Sequence, residues 1–263
     1  MKIQCLIENS FSHPDFISEH GLSLLIEACG QRVLFDTGAS PAFATNASRM
    51  GTDLSTIDAA IISHGHYDHG GGLARFLELN QQACVWASRH AFEPHFNASG
   101  KDIGLDQELA SHPRILPVPD SIFSPVPGFT LIQATEIPCT YPAEGSGMST
   151  VICGCHVPDD FRHEQYLLIE EAGRRVLISG CSHRGILNIA THFKADVLIG
   201  GFHLMKANVN REARRLEQMA DILISLPTIY YTGHCTGDAA FAFLKARMKE
   251  QLHGITTGQL LEI

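Results

Sequence analysis

The sequence has little positive charge and no long hydrophobic run. Its 19 Lys and Arg residues are outnumbered by 28 Asp and Glu residues, which gives a formal net charge of −9. The basic residues are scattered, so we expect no nucleic-acid-binding surface. No stretch approaches about 18 uninterrupted apolar residues, the length of a membrane-spanning helix, so we expect no membrane partner. The first residues, MKIQCLIENS, lack the apolar region of a secretion signal, which favours a cytoplasmic protein.

Cysteine is present, but its spacing does not indicate a disulfide framework. Eight cysteines are spread over 263 residues. In a chain of this size without a secretion signal, buried thiols or metal ligands are the better expectation. Cys153 and Cys155 form a C-x-C pair with no second pair at zinc-site spacing, and we interpret this pair as a coincidence of sequence.

Short runs rich in Val, Ile and Leu predict most of the strands. They are KIQCLIE, LSLLIEAC, QRVLFDTG, DAAIISH, ACVWAS, ADVLIGGF and TIYYTGH. The stretch EQYLLIEEAGRRVLISG predicts a hairpin that turns near Ala172 and Gly173. With 44% hydrophobic residues the chain can bury a large core, so we expect a single layered α/β domain over 1–263 with mixed sheets.

Helical spacing of apolar residues appears between the predicted strands. It predicts a helix over 209–223, and a second helix that begins near Asp238 and stops at Gly254. The stretch LARFLELN predicts a further helix. Residues 94–148 hold many Pro, Gly and Ser residues and little periodicity, which predicts a long irregular segment.

The stretch SHGHYDHGGG, residues 63–72, concentrates side chains that bind metals. His64 and His66 follow a predicted strand, where side chains two apart point the same way, so they can face one point. Asp68 and His69 follow in the turn and can reach a second point nearby. Imidazoles and a carboxylate suit zinc, iron or manganese. Spacing this dense argues against a loop of solvated histidines.

Three glycines follow these side chains directly. We expect Gly70, Gly71 and Gly72 to let the chain turn tightly into the helix LARFLELN. We also expect them to bring the backbone close to a metal or to its ligands.

Further ligand candidates lie at the ends of later predicted strands. VLISGCSH ends in Cys181 and His183, VLIGGFH ends in His203, and IYYTGH ends in His234. Each of these strand ends carries glycine, and strand-end loops are where sites collect in layered α/β domains. The sequence therefore predicts that these loops complete the metal site.

The other histidines lack this context. We expect exposed or hydrogen-bonded imidazoles for most of them, although His90 and His95 follow a strand closely enough to reach the mouth of the site. The set comprises His13, His20, His90, His95, His112, His156, His163, His192 and His253.

These motifs resemble the metallo-β-lactamase superfamily. HGHYDH, residues 64–69, matches its HxHxDH signature. Asp36 in FDTGAS matches the Asp-x-Gly that precedes the signature, where the carboxylate holds the ligand loop by hydrogen bonds. GCSHRGILNI, IGGFHL, TGHCTG and the segment 158–160 resemble a branch of metal-dependent hydrolases, labelled dihydropteridine or β-ribofuranosylaminobenzene 5′-phosphate synthase-like. The matching blocks run from Asp36 to Gly237 and cover most of the chain.

The resemblance implies a four-layer αββα sandwich with two divalent metal ions in a cleft at one edge of the sheets. By position, it assigns His64 and His66 to the first ion. It assigns Asp68, His69 and His234 to the second ion. Zinc is the first expectation for both, with iron or manganese as alternatives.

Two positions depart from the superfamily pattern. The PGHT-type segment that usually gives the first ion a third histidine is missing, and EIPCTYPAEG, residues 136–145, stands in that region. The bridging aspartate expected after VLISG is replaced by Cys181, a thiolate ligand found there in some β-lactamases. We expect His183 to compensate for the missing histidine, with Cys181 as the alternative, and the assignment over 181–183 stays open.

The expected activity is metal-dependent hydrolysis. A metal pair lowers the pKa of a bound water from 15.7 towards roughly 7 and so provides hydroxide at neutral pH. We expect Asp68 to hold the second ion and orient this nucleophile. His203 is expected to contact substrate or protonate the leaving group, or else to fix its own loop by a hydrogen bond. The substrate is expected to be a small-molecule ester, phosphoester, thioester or amide, with a pterin- or phosphate-containing compound among the candidates.

Two other classes of protein compete with this interpretation. Relatives with iron pairs carry out redox chemistry, but they have a separate flavin-binding domain for which 263 residues leave no room. A ligand-binding or regulatory protein on the same fold is the other alternative. The complete signature over 64–69 argues against loss of the metal, but it does not exclude a metal protein without turnover.

Overall fold

The structure is a computed structural model that describes residues 1–144 and 147–263. In chain order its strands are β1 (Lys2–Ile7), β2 (Ser23–Ala28), β3 (Gln31–Phe35), β4 (Ala59–Ile61), β5 (Cys84–Ala87), β6 (His95–Phe96), β7 (Ile115–Pro117), β8 (Ile122–Val126), β9 (Phe129–Gln133), β10 (Ser149–Ile152), β11 (Cys155–Pro158), β12 (Gln165–Glu171), β13 (Arg174–Ile178), β14 (Val197–Ile199), β15 (Ile229–Thr232), β16 (Leu252–Gly254) and β17 (Leu260–Glu262). Its α-helices are α1 (Ala42–Arg49), α2 (Tyr67–Gly70), α3 (Leu73–Leu79), α4 (Ile186–Phe193), α5 (Ala213–Ile224) and α6 (Asp238–Met248).

Within these described residues the strands form two seven-stranded sheets and a three-stranded sheet. The first large sheet has the order β17-β1-β2-β3-β4-β5-β7, the second the order β16-β15-β14-β13-β12-β9-β8, and the small sheet the order β11-β10-β6. In the first sheet β2 and β3 are antiparallel, whereas β3, β4 and β5 are parallel. In the second sheet β12 and β13 are antiparallel, whereas β13, β14, β15 and β16 are parallel. Both large sheets are therefore mixed, as predicted.

Apolar clusters hold the layers together. One cluster joins the inner faces of the two large sheets, a second packs the first sheet against α1 and α3, and a third packs the second sheet against α4, α5 and α6. Strand β3 contributes to two of them, because successive side chains of a strand point to opposite faces. Val33 and Phe35 lie between the sheets, and Leu34 lies against the helices. The order helix, sheet, sheet, helix confirms the predicted αββα sandwich.

The parallel strands place their carboxyl ends together. The loops that follow β3 and β4 leave the first sheet at the same edge, and the loops that follow β13, β14 and β15 leave the second sheet at one edge. These loops carry almost all of the predicted ligand residues. The fold therefore gathers side chains that are far apart in the sequence. That residues 1–263 form a single domain stays a prediction.

Two predictions about local structure are wrong. The last helix ends at Met248, because Lys249 adopts a left-handed backbone conformation (φ 50°), and residues 252–254 form β16 instead. The segment 94–148 is not irregular throughout, since it contains β6, β7, β8 and β9, and β9 pairs with β12 inside the second sheet. Gly145 and Ser146, which belong to that segment, lie outside the described residues.

The cysteines agree only in part with the expectation of buried thiols, since Cys5, Cys181 and Cys235 are buried whereas the other five are partly or fully exposed. All eight cysteines, each within the described ranges, are free, and Cys153 and Cys155 are exposed. Among the helices that the structure describes, none is long and apolar enough to cross a membrane.

Candidate metal centre

Three imidazoles from two different sheets form a first donor group. His64 and His66 come from the loop after β4, and His183 comes from the loop after β13. One ring nitrogen of each lies within 4.8 Å of the others, and all three side chains are buried. Burial, followed by the charge of the neighbouring imidazoles, lowers the pKa of all three rings well below its ordinary value. The rings are therefore neutral at neutral pH, which is the state that binds metals.

The unpaired nitrogens of this first group indicate what it can bind. The Nε2 atoms of His64 and His66 and both ring nitrogens of His183 are buried without a hydrogen-bond partner among the described residues. A buried polar atom left without a partner costs about 1–3 kcal/mol. A divalent cation would satisfy these lone pairs, and three nitrogen donors suit zinc, iron or manganese. The donor set therefore fits a metal ion.

A carboxylate, two imidazoles and a thiol form a second donor group. Asp68, His69, Cys181 and His234 each offer an atom within 4.8 Å of the others. The Nε2 atom of His69 lies 3.1 Å from Nε2 of His234 and 3.2 Å from Sγ of Cys181. The Nε2 atom of His234 lies 3.2 Å from Oδ2 of Asp68. Tetrahedral zinc at ordinary bond lengths separates neighbouring ligand atoms by roughly 3.3–3.8 Å. These contacts are slightly shorter, so the group would have to open by a few tenths of an ångström to hold a metal.

Cys181 connects the two groups. Besides its place in the second group, its thiol lies within 4.8 Å of ligand atoms of His183 and His203. Burial and the neighbouring Cys235 raise the pKa of the Cys181 thiol well above its ordinary value. A bound cation deprotonates a coordinating thiol, so the metal would supply the charge that makes Cys181 a ligand. The alternatives predicted for 181–183 are thus both near the centre, with His183 in the first group and Cys181 in the second.

Asp36 holds the ligand loop in the way the sequence predicts. Its Oδ1 accepts a hydrogen bond from the backbone N–H of Ser63 at 2.7 Å, and its Oδ2 lies 2.6 Å from Nδ1 of His69. The Ser63 hydroxyl donates to Oδ2 at 2.7 Å and lies 2.8 Å from Nδ1 of His64. Because these contacts engage Nδ1 of both imidazoles, they leave Nε2 of His64 and His69 directed towards the candidate ions.

Asp68 has one neighbour that the sequence did not predict. Burial opposes ionisation of its carboxyl, but His69 and His234 hold the pKa of that group well below its usual range. The Nε2 atom of His20 lies 3.4 Å from Oδ2 of Asp68, and the His20 ring packs on His234 with 4.5 Å between centroids. His20 precedes β2 in a polar stretch, so its place beside the second group depends on the packing of the fold and not on any motif.

His203 lies between the first group and a small cavity. Its ring packs on His183 with 4.3 Å between centroids, and its Nδ1 is buried without a hydrogen-bond partner in the described part of the chain. The residue is left-handed (φ 53°), a strained conformation that is typical of functional sites. Burial acts against protonation, but Cys235 and Glu164 raise the pKa of His203. The adjoining cavity of about 160 Å³ is lined also by Lys206 and Arg215.

A further buried cluster adjoins His66. His95, Asp159 and His163 each place a ligand-type atom within 4.8 Å of one ring nitrogen of His66. The Nδ1 atom of His95 lies 2.9 Å from Oδ2 of Asp159. His90 instead pairs with the carboxylate of a surface residue three positions later. The sequence indicated this cluster in part, through the prediction that His95 reaches the mouth of the site and through the resemblance over 158–160. The place of His163 was not predicted, because the members come from three separate segments.

The three glycines after the signature have a different role from the one expected. A Cβ on Gly71 would lie 2.3 Å from the carbonyl oxygen of Ala39, and a Cβ on Gly72 would lie 2.4 Å from that of Thr37. The close approach is therefore to the backbone of the loop after β3 and not to the candidate metal ligands. Removing these side chains lets the loop that holds Asp36 pack directly against the ligand loop.

Comparisons with known proteins show which family this chain resembles. The profile of the Metallo-beta-lactamase superfamily matches residues 19–146. A protein of Methanocaldococcus jannaschii named 7,8-dihydropterin-6-methyl-4-(beta-D-ribofuranosyl)-aminobenzene-5'-phosphate synthase is 30% identical over 290 aligned positions, which cover 100% of this chain and 96% of that protein.

Solved structures give the same result. The crystal structure of Tm1679, described as a metal-dependent hydrolase of the beta-lactamase superfamily, is 30% identical and superposes with a TM-score of 0.84, covering 100% of this chain and 99% of that one. Zn(2+)-bound PqqB from Methylobacterium extorquens shares the fold at 14% identity, with a TM-score of 0.57 and coverage of 100% of both chains.

Proposed function

This chain belongs to the metallo-β-lactamase superfamily, and on that basis we propose that it is a hydrolase that uses two divalent metal ions. One ion would be held by His64, His66 and His183. The other would be held by Asp68, His69, Cys181 and His234. The observation that carries this proposal is a pair of adjacent buried donor groups. Among the described residues, the first group holds ring nitrogens without hydrogen-bond partners, and the second brings a carboxylate, two imidazoles and a thiol within 4.8 Å of one another.

The protein side chains supply orientation and proton transfer. When bound, divalent ions act as Lewis acids and lower the pKa of a coordinated water. Asp68, whose pKa lies well below its usual range, remains a hydrogen-bond acceptor and would orient the attacking water. His203, whose pKa is raised, would donate a proton to the leaving group at the boundary between the first group and the cavity.

The proposed substrate is a small molecule with an ester, phosphoester, thioester or amide bond. The cavity beside His203 has mixed charge, because Lys206 and Arg215 line it together with Glu144 and Glu212, and Arg215 pairs with both carboxylates. One comparison supports a phosphate-containing compound. The relative from M. jannaschii is named as the synthase of an aminobenzene 5′-phosphate compound that also contains a pterin. We further propose zinc as the metal, because thiolate, imidazole and carboxylate donors occur together in the second group. We propose the cytoplasm as the location.

A synthase activity is the second candidate. It is favoured by the 30% identity to a protein named as a synthase, over the full length of this chain. A synthase would join two organic substrates at the same centre, with a leaving group displaced from one of them, whereas a hydrolase would transfer a group to water. The two differ in whether the product retains both organic fragments.

Metal analysis followed by substrate assays tests the proposal. The purified chain is expected to contain two zinc ions, and a panel of phosphodiesters, thioesters and lactones is expected to include a substrate that it hydrolyses. Activity should disappear with a chelator and return with zinc. A chain that contains two ions but joins a dihydropterin to a phosphorylated aminobenzene riboside, without hydrolysing the panel, would support the synthase instead. A chain without bound metal would contradict both.

A further inference from the structure

The segment that connects β11 to β12, residues 159–165, lies between the two ligand loops of the first donor group. One of these loops leaves the first sheet after β4 and carries His64 and His66, whereas the other leaves the second sheet after β13 and carries His183. Because the two loops come from different sheets, neither sheet alone sets the distance between them. The connecting segment contacts both loops, and these contacts can set that distance.

The side chain of His163 binds the backbone of the first of these loops. The His163 side chain is buried, and its Nδ1 accepts a hydrogen bond from the N–H of Gly65 at 2.9 Å. Gly65 stands between His64 and His66, so this bond fixes the backbone from which both ligands project. Two residues later, the N–H of Gln165 donates to the carbonyl of Ser63 at 2.8 Å.

The same bond removes His163 from the groups that could bind a third cation near Asp159. A neutral imidazole that accepts at Nδ1 carries its proton on Nε2 and has no lone pair left for a metal. The Nε2 atom of His163 lies 3.3 Å from Oδ2 of Asp159, a polar contact whose alignment is too poor for a hydrogen bond. Asp159 accepts from the N–H of Phe161 at 2.8 Å and lies 2.9 Å from Nδ1 of His95. The carboxylate therefore lies beside the His163 ring and is itself held by the segment.

The other side of the segment binds the loop that carries His183. The ring of Phe161 stacks on the His183 ring with 4.5 Å between centroids and 3° between planes. The buried carboxylate of Glu164 accepts the backbone N–H of His183 at 2.8 Å and that of Arg184 at 2.9 Å. Its Oε2 also accepts from the hydroxyl of Tyr166 at 2.7 Å. Glu164 therefore holds the backbone on which His183 stands.

We propose that residues 159–165 position the first donor group, with His163 holding the loop of His64 and His66 and Glu164 holding the loop of His183. By contacting the backbone of both loops, the segment holds the imidazole of His183 close to those of His64 and His66. This inference rests on the proposed metal centre but not on hydrolysis, because its effect is on metal affinity and geometry.

A pair of substitutions at His163 isolates the bond to Gly65. His163→Leu removes the acceptor, whereas His163→Asn offers an amide oxygen near the position of Nδ1. Zinc affinity is measured by competition with a chromophoric chelator. In His163→Leu one of the two ions is expected to bind about 10–100-fold more weakly, the usual effect of removing a group that orients metal ligands. His163→Asn is expected to recover most of that affinity. His192→Leu, in an exposed position of α4, is the control for a lost histidine.

Cobalt substitution identifies which ion is affected. The thiolate of Cys181, which the proposed centre places in the second group, would give a cobalt charge-transfer band that reports on the ion held there. This band is expected to persist in His163→Leu and in Glu164→Gln, while the absorption of the other cobalt ion weakens. Circular dichroism selects the variants that remain folded, and if His163→Leu does not fold, Glu164→Gln carries the same test.

Three results would overturn the inference. The first is wild-type affinity for both ions in His163→Leu and Glu164→Gln. The second is equal weakening of both cobalt signals. The third is a third bound metal ion per chain that is lost in His95→Ala, since this would show that the cluster of His95, Asp159 and His163 binds a cation. A wild-type chain with two ions and no hydrolytic activity would count against the proposed function while leaving this inference standing.

Discussion

The two donor groups of the candidate centre differ in charge. The first offers three imidazoles, which burial keeps neutral, whereas the second contains the carboxylate of Asp68 and the thiol of Cys181. A divalent ion in the second group would be neutralised largely by the protein, and one in the first group would keep most of its charge for water and substrate. The second group is therefore suited to hold a metal tightly and the first to act on a substrate.

The largest expected effect is that of Asp68→Asn. The amide is a poor ligand and a weaker acceptor, so the variant should lose both the second ion and the orientation of the attacking water. We expect the turnover rate to fall by about 10²–10⁴-fold, with little loss of folded protein. Metal content and hydrolytic rate are measured on the same sample. Turnover at the wild-type rate with full occupancy would remove Asp68 from the mechanism.

His203→Ala should separate activity from metal content. His203 borders the cavity but belongs to neither of the two proposed ligand sets, so its loss should remove proton donation or a substrate contact. A fall in turnover of about 10²-fold is expected, at the lower end for general acid catalysis. Two bound ions should remain. If the variant instead lost an ion and kept its turnover per metal site, His203 would be a ligand or a positioning residue.

Asp36→Asn should weaken metal binding without removing a ligand. The amide cannot accept from Ser63 and His69 together as the carboxylate does, so Nε2 of His69 is less well directed. Removing such a group typically lowers metal affinity by about 10–100-fold. Competition with a chelator measures this, with Asp53→Asn, on the exposed surface, as the control. Equal affinities for the two variants would show that Asp36 serves only the fold.

Cys181→Ser has the smallest expected effect on occupancy but the clearest spectroscopic one. Serine keeps the size and a weak oxygen donor, and the remaining three ligands of the second group are unchanged. We expect the cobalt thiolate band to vanish, with an affinity loss of roughly tenfold, comparable to removal of a supporting contact. Cys153→Ser, an exposed cysteine, should change neither. A thiolate band that survived in Cys181→Ser would point to Cys235 as the sulfur ligand.

Much of the fold and the ligand set could be predicted because the information is local or periodic. The HxHxDH loop places four donors within six positions. A continuous apolar run such as the one in β3 indicates a strand that is buried on both faces. His183 was predicted because the sequence lacks the PGHT-type histidine of the superfamily, and a histidine at a strand end could replace it. Strand β9 was missed because Pro and Gly on either side masked its alternation.

The rest could not be predicted, because it depends on contacts between loops that are separate in the sequence. His163 bonds to Gly65 across 98 positions of sequence, and no spacing rule connects the two. His20 reaches Asp68 only because the chain before β2 packs against the ligand loop. The role of Gly71 and Gly72 likewise appears only when the loop after β3 is in place. Each of these features needs the folded sandwich before it can be recognised.

Anomalous scattering at the zinc edge, from crystals of the zinc-loaded chain, tests the central claim most directly. Two peaks are expected within one centre, one among the three imidazoles of the first group and one among the mixed ligands of the second. Each peak should lie about 2.0–2.3 Å from its ligand atoms. A single peak, a peak with His183 and Cys181 both turned away, or a zinc ion in the cluster of His95, Asp159 and His163 would contradict the account.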